Sequence, residues 1–414
     1  MAKRKATEKV EQKEVKKPTK APHPRTSISI CIPSTVISNK NAHNLEQKTM
    51  ICYQIAKACL IYNVAEIVVL KVPEKRMGAK GDEEQKTPSA VTVGNKVVFN
   101  EDFNPVLDGV EEKKNKGNDK ANGSFDKSKE DALLLASLLQ FFITPPYLIK
   151  TVFLPHLNPH MQDILHKFKY AYKLPKITTL PFMQNNEVYR DFKEGIIIPR
   201  ETPKIKAKLK SKKFRVKAPH KVTVSKYVNI GEREALELDI SREIPIYLRV
   251  TVDLKNKTIV SPQRAYGVVG HESSFGYLVR VVDDGFHKVF TKSPVVDGYN
   301  CTVFVLCDDY FNKLGKVLDE VKEYEDDEES RQQQQAQVRE EEKEEKEGDS
   351  SKKILVVVGN YKDFQLSFED DEEAKSTMFE GLDGVLKLFD YKLNIPLGCR
   401  TEDGVLIALT KLLE

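Results

Sequence analysis

Four short apolar-rich runs set the architecture of this chain: the alternating Ser27-Ile-Ser-Ile-Cys-Ile-Pro33, and the more continuous Glu66-Ile-Val-Val-Leu70, Cys301-Thr-Val-Phe-Val-Leu-Cys307 and Ile354-Leu-Val-Val-Val-Gly359. Each is rich in β-branched residues, too short for a helix, and stopped by Gly, Pro or polar residues, which predicts strands of a parallel sheet, the last three buried on both faces. Between the first two, Ile51, Ile55, Ala58 and Cys59 recur at helical spacing and predict a helix over about Asn44–Tyr62. Strand, helix and strand in that order make a right-handed crossover unit. Asp131–Phe142 predicts a second apolar helix, stopped at Thr144-Pro-Pro146.

The pattern changes in the middle of the chain. Arg190–Pro199 closes the first block. After it, Val222–Val224, Ile246–Val252, Thr258–Val260, Tyr277–Val282 and His287–Phe290 alternate in polarity between Gly, Asn, Asp and Pro turns. Such pieces predict a small β-barrel or sandwich. Tyr266, Phe275, Tyr277, Arg264 and Arg280 would supply stacking and charge for single-stranded RNA, or core and rim of the barrel. The chain ends on Asn394-Ile-Pro-Leu-Gly-Cys-Arg-Thr-Glu-Asp-Gly404 and an apolar helix, Val405–Leu413. Pro396 and Gly398 exclude regular structure in that loop, and Thr401 with Glu402 and Asp403 reads as the helix cap.

Charge sharpens the division. The 414 residues carry a net charge of only +4, but the signs are segregated. Residues 1–26 are lysine-rich and nearly free of large apolar groups, a disordered basic tail that reads as a nuclear address and RNA-contacting arm. Residues 73–128 are a polar surface insertion, and 322–351 an acidic low-complexity loop. From Lys204 to Lys226 there are ten basic residues and no acid. Alternation there presents Lys206, Lys208, Lys210, Lys212, Lys213 and Arg215 as a cationic row for RNA phosphates.

The chemistry this composition excludes is as useful. The six cysteines lack CxxC pairing, as reduced core cysteines do. His156, His160 and His166 lack a ligand-spaced partner, so no metal is expected. No apolar stretch is long enough to cross a membrane. No GxGxxG or GxxxxGK[ST] follows a strand, which counts against a nucleotide-dependent dehydrogenase.

In order, Ser27–Pro33, Gln54–Cys59, Glu66–Val69, Phe192–Ile198, Asp297–Cys307, Val356–Gly359 and Asn394–Leu409 resemble the eukaryotic and archaeal branch of the SPOUT class of RNA methyltransferases, which carries an OB-like barrel inside the catalytic domain. The resemblance implies an α/β fold: a parallel sheet with a C-terminal trefoil knot, interrupted by a small OB-like β-barrel. The SPOUT-like domain would be split over 27–200 and 291–414, with the OB-like RNA-binding insertion at 201–290. It also implies S-adenosylmethionine as cofactor, held by Cys307, Asp309, Gly359, Asn394, Ile395, Leu397, Gly398 and Thr401. Arg400-Thr401-Glu402 resembles the RTE that opens the last knot helix in many members. Two features depart from the family pattern: acids at Asp308-Asp309 and a glycine at Gly404 in the first helical turn. No general acid or base is named by the resemblance.

The implied function is methylation of ribosomal RNA during ribosome assembly. The alternative is a non-catalytic RNA-binding assembly factor of pre-ribosomes that keeps the fold. Implied partners are RNA, as ribosomal RNA or pre-ribosomes, and a second subunit, identical or a paralogue. The implied location is the nucleus and nucleolus.

Overall fold

The computed structural model describes residues 26–73, 127–153, 164–184, 191–199, 223–270, 275–295, 298–309, 318, 320–324, 352–373 and 384–413. The basic tail, most of the 73–128 insertion, His156 and His160, the Lys206–Arg215 row and most of the acidic tract lie outside these residues.

Among the described residues thirteen strands follow in chain order: β1 Ser27–Pro33, β2 Glu66–Leu70, β3 Phe192–Ile197, β4 Val224–Ser225, β5 Tyr227–Asn229, β6 Leu236–Glu237, β7 Ile244–Pro245, β8 Arg249–Asp253, β9 Thr258–Ile259, β10 Leu278–Val282, β11 Cys301–Leu306, β12 Lys353–Gly359 and β13 Tyr391–Lys392. The longer helices are α1 Leu45–Ile61, α2 Lys127–Phe142, α3 Tyr361–Asp370 and α4 Thr401–Leu413.

Six strands form one sheet in the order β10-β2-β1-β12-β11-β13, and every pairing in it is parallel. Its four apolar runs are the ones the sequence singles out. Successive side chains on a strand face opposite ways, so β12 divides its core between two layers. Ile354, Val356 and Val358 pack with α1, α2 and α4, while Leu355 and Val357 pack with Phe364 and Phe368 of α3. Helices on both faces explain why the continuous runs are apolar throughout rather than alternating. Asn44 caps α1 by accepting the Gln47 amide at 2.8 Å.

The second sheet is antiparallel, in the order β6-β5-β3-β8-β9, with β4 and β7 paired beside it. Its core is Ile197, Val228, Ile230, Leu238, Val250 and Val252.

Three sequence-based expectations are corrected here. Phe192–Ile197 does not close the parallel block: β3 lies between β5 and β8, pairing Gly195 with Val250 and Ile196 with Asn229. Gly195 is required there, since a Cβ would sit 2.5 Å from the Val228 side chain. Conversely, Leu278–Val282 leaves the β-barrel group and forms the edge of the parallel sheet, with Arg280 opposite Val68. An edge strand is half covered, so it alternates in polarity like a barrel strand. His287–Phe290, read as a strand, falls in the short helix Lys288–Thr291.

Two of the aromatic residues offered for stacking are core. Tyr277 is buried and donates to the Leu139 carbonyl at 2.9 Å. Tyr266 is buried and donates to Glu194 Oε1 at 2.5 Å. Glu194, fully buried, also accepts from Thr251 Oγ1 at 2.7 Å and Arg249 Nε at 3.2 Å. Arg249 in turn donates to the Ile143 carbonyl at 3.0 Å, and Tyr147 donates to the Glu194 carbonyl at 3.0 Å. A satisfied buried carboxylate thereby ties the antiparallel sheet to the segment after α2. Among the described residues no helix is long and apolar enough to cross a membrane.

Candidate active site

In an all-parallel sheet the carboxyl ends of the strands share one edge, where loops are free to bind ligands. Three such loops meet here: 307–309 after β11, 359–360 after β12, and 393–400 between β13 and α4. Backbone bonds join them. The Cys307 amide donates to the Gly359 carbonyl at 3.0 Å, and the Asp308 amide to the Cys399 carbonyl at 2.9 Å. Lys411 Nζ holds the Asn394 carbonyl at 2.8 Å. Arg400 Nη2 reaches the Asn41 carbonyl after β1 at 3.2 Å.

Two glycines permit the close packing. A Cβ on Gly404 would lie 2.3 Å from Cys307 Sγ, and one on Gly359 would lie 2.9 Å from the Pro33 ring. Gly404 therefore has a steric purpose that outweighs its poor helix propensity: it lets α4 seat against the first loop. Gly398 turns the third loop at a positive φ of 75°.

Asp308 is the focus of the cluster. It is a non-glycine residue at positive φ, 60°, a conformation that needs support from its surroundings. Its amide is bound to Cys399 as above, and its Oδ2 accepts the Thr401 hydroxyl at 3.0 Å. Thr401 is thus not the helix cap. Helix α4 begins at Thr401 itself, with the Gly404 amide donating to the Arg400 carbonyl at 2.8 Å.

One side of Asp308 is open to solvent. Crowding on the other raises its carboxyl above the usual value, against the lowering effects of Thr401 and Arg400. Burial also raises Glu402, whose Oε1 meets Arg400 Nε at 2.8 Å. Asp363, in the first turn of α3, is raised by burial and held by the Thr35 hydroxyl at 2.6 Å. Burial pushes the Cys307 thiol upward as well, so it is an inert core thiol rather than a nucleophile.

The structure thus brings Cys307, Asp309, Gly359, Asn394, Ile395, Leu397, Gly398 and Thr401 to one edge. Cys307 and Thr401 are buried, Ile395 packs on the core, and Leu397 is 60% exposed. Asp309 Oδ2 is buried without a hydrogen-bond partner among the described residues. Sequence reasoning passed over Thr35 and Asp363, and it read Glu402 only as part of the helix cap and of the Arg400-Thr401-Glu402 motif. A polar run after β1 and the Asn360-x-x-Asp363 start of α3 are the signals that would have marked the first two. No group of three or more metal-ligating side chains occurs among the described residues.

Comparison with known proteins supplies the family. Residues 27–412 match a family described as "Putative RNA methyltransferase". A Saccharomyces cerevisiae protein named a "Putative methyltransferase" is 32% identical over 282 residues, covering 67% of this chain and 68% of the relative. A second yeast protein of that description is 31% identical over 282 residues, covering 68% of this chain and 60% of its own length. The human "28S rRNA (uridine-N(3))-methyltransferase" is 24% identical over 288 residues, covering 67% of this chain and 57% of the human protein. With the family match running from the first strand to the last helix, this chain belongs to the RNA methyltransferase family.

Proposed function

We propose that this chain transfers a methyl group from S-adenosylmethionine to uridine N3 of ribosomal RNA during ribosome assembly. The observation that carries the cofactor reading is the convergence of three backbone-rich loops at one sheet edge, with a buried carboxylate oxygen of Asp309 awaiting a donor there. The chemistry of the loops suits such a cofactor. Gly359 and Gly404 keep the loops close, and the backbone of Ile395, Leu397 and Gly398 would offer donors and acceptors to an adenine and ribose. Asp308 and Asp309 bring negative charge to the edge, while Glu402 is balanced by Arg400.

When bound, S-adenosylmethionine supplies an electrophilic methyl group on a cationic sulfonium. An acidic edge favours that cation over the neutral thioether left after transfer. The acids that depart from the family pattern therefore suit product release. The chain's own work is to orient the methyl group and exclude water, while the N3 proton displaced by the new N–C bond passes to a nearby carboxylate or to solvent. The target atom is proposed from the printed name of the animal relatives, and a nuclear and nucleolar location follows from that substrate.

The same reading takes the threading of the last loops as a trefoil knot and strands β3 to β9 as an OB-like RNA-binding module. It takes the molecule as a dimer. Leu397, Leu406 and Leu413 around α4, with Met50 and Ile61 on neighbouring α1, are exposed apolar side chains that a second subunit, identical or a paralogue, would cover. The Lys206–Arg215 row is proposed to track the RNA backbone.

Calorimetric titration with S-adenosylmethionine tests the proposal. Micromolar binding that disappears in Gly359→Arg is the expected result. No binding by a folded chain overturns it and leaves a non-catalytic RNA-binding assembly factor.

A further inference from the structure

A cavity of about 620 Å³ opens at the same carboxyl edge, beside the three loops. Its volume falls within the roughly 300–1,000 Å³ of ligand sites. It lies where the strand order reverses. From β1 the chain crosses to β2 on one side, whereas the other neighbour, β12, comes from a distant segment. A crevice forms naturally at such a switch point, because the loops on its two sides diverge.

The cavity is a neighbour of the cofactor loops, joined to them through Pro33 and the start of α3. The Gly359 backbone lies against Pro33, and the Asp363 amide donates to the Asn360 carbonyl at 3.2 Å. Arg400 ties the third loop to Asn41, just beyond the cavity's β1 wall.

Its chemistry is that of a nucleotide site. Lys40, Lys127 and Lys362 reach it from three elements, the loop after β1, the start of α2 and the first turn of α3. A solvated basic face runs along one element, whereas these three surround a concavity. The nearby Asp131 carboxylate is already engaged by Lys48 at 2.8 Å, so it does not cancel them. Val72, Pro73 and Leu366 give an apolar wall against which a base can lie. Asn39 and Asp363 place an amide and a carboxylate within the same cavity, the latter oriented by the Thr35 hydroxyl.

We propose that this groove holds the target nucleotide of the RNA substrate, with Lys40, Lys127 and Lys362 on the flanking phosphates and Asn39 and Asp363 at the base edge. The proposal rests on the methyltransferase reading for its substrate class, but it makes a separate claim about place. A base seated here is adjacent to the loops that would hold the methyl donor. An imide N–H, such as uridine N3–H, is a donor that a carboxylate accepts.

The test uses the full chain and a short uridine-rich RNA carrying 4-thiouridine. Photocrosslinks mapped by mass spectrometry are expected on the loop after β1 and the first turn of α3. Fluorescence anisotropy with the same RNA is expected to show about tenfold weaker binding for Lys40→Glu/Lys362→Glu. Lys40→Gln/Lys362→Gln, a milder pair that guards against misfolding, should lie between. Calorimetry should find S-adenosylmethionine affinity changed by less than about twofold in both, since neither lysine is in the three loops. Crosslinks wholly outside the groove, or RNA affinity unaltered by charge reversal, overturn the proposal. RNA binding in the groove without S-adenosylmethionine binding would instead remove the methyl-transfer reading and leave the groove standing.

Discussion

Gly404 and Asp308 carry the tightest constraints in the candidate site. Replacing Gly404 with Ala puts a methyl group 2.3 Å from Cys307 Sγ, and Cys307 is buried with little room to retreat. Overpacking of this kind costs about 1–3 kcal/mol, although Ala is the better helix former. Thermal melting should therefore show Gly404→Ala less stable than the parent, and Gly404→Ala/Cys307→Ala restored; an unrescued double variant would refute the contact.

The raised carboxyls of Asp308, Asp363 and Glu402 give a pH signature. An acid whose folded pKa lies above its unfolded value binds its proton more tightly in the folded state. Stability from these groups is therefore greatest near and below the unfolded value of about 4, and is lost as pH rises through the folded values. Asp253 and Asp284 are held low by side-chain hydrogen bonds, from Asn256 and Lys288 respectively, and act in the opposite sense. The informative quantity is thus the difference from the parent. Urea melts over this range should show a flatter decline for Asp308→Asn/Asp363→Asn, and an unchanged slope would contradict the assignment.

At the scale of elements, a buried ion pair fastens β10 to β2 beside their parallel ladder. Arg280 Nε meets Glu66 Oε1 at 2.6 Å and Nη2 meets Oε2 at 3.3 Å. Tyr299 donates to the same carboxylate at 2.9 Å, and Arg280 also holds the carbonyls of Lys288 and Val289. Glu66 is only 2% exposed. Removing one partner of such a pair strands a buried charge and costs about 3–5 kcal/mol. Arg280→Ala should lose about that much in denaturant melts, whereas Arg280→Ala/Glu66→Gln should recover part of it. Equal losses in both would mean that the pair does not anchor the strand.

The whole molecule joins two sheets of different character. The parallel sheet carries the conjunction of loops and groove, and the antiparallel sheet is fastened to it through the Glu194 and Arg249 network. The outer face of α4 remains apolar at Leu406 and Leu413, which belongs with the proposed dimer. Leu406→Glu should shift the protein to monomer in analytical ultracentrifugation without unfolding it, since this exposed side chain supports no core. A parent that is already monomeric at working concentration would dismiss the dimer.

The order of amino acids alone decides the core of the fold. Runs such as Ile354–Val358 are apolar on both faces, and only a sheet covered by helices on each side satisfies them. It also marks the loops, because Pro396, Gly398 and Gly359 forbid regular structure or demand close approach. Sheet membership of β3 and β10 is not legible in the same way. A half-covered edge strand and a barrel strand alternate alike, and the partner that separates them, Glu66 for Arg280, lies 214 residues away. The meeting of Asp308 with Thr401, and of Thr35 with Asp363, is likewise a product of the tertiary structure. Contacts between distant segments depend on how whole elements pack, and no local pattern of polarity records that.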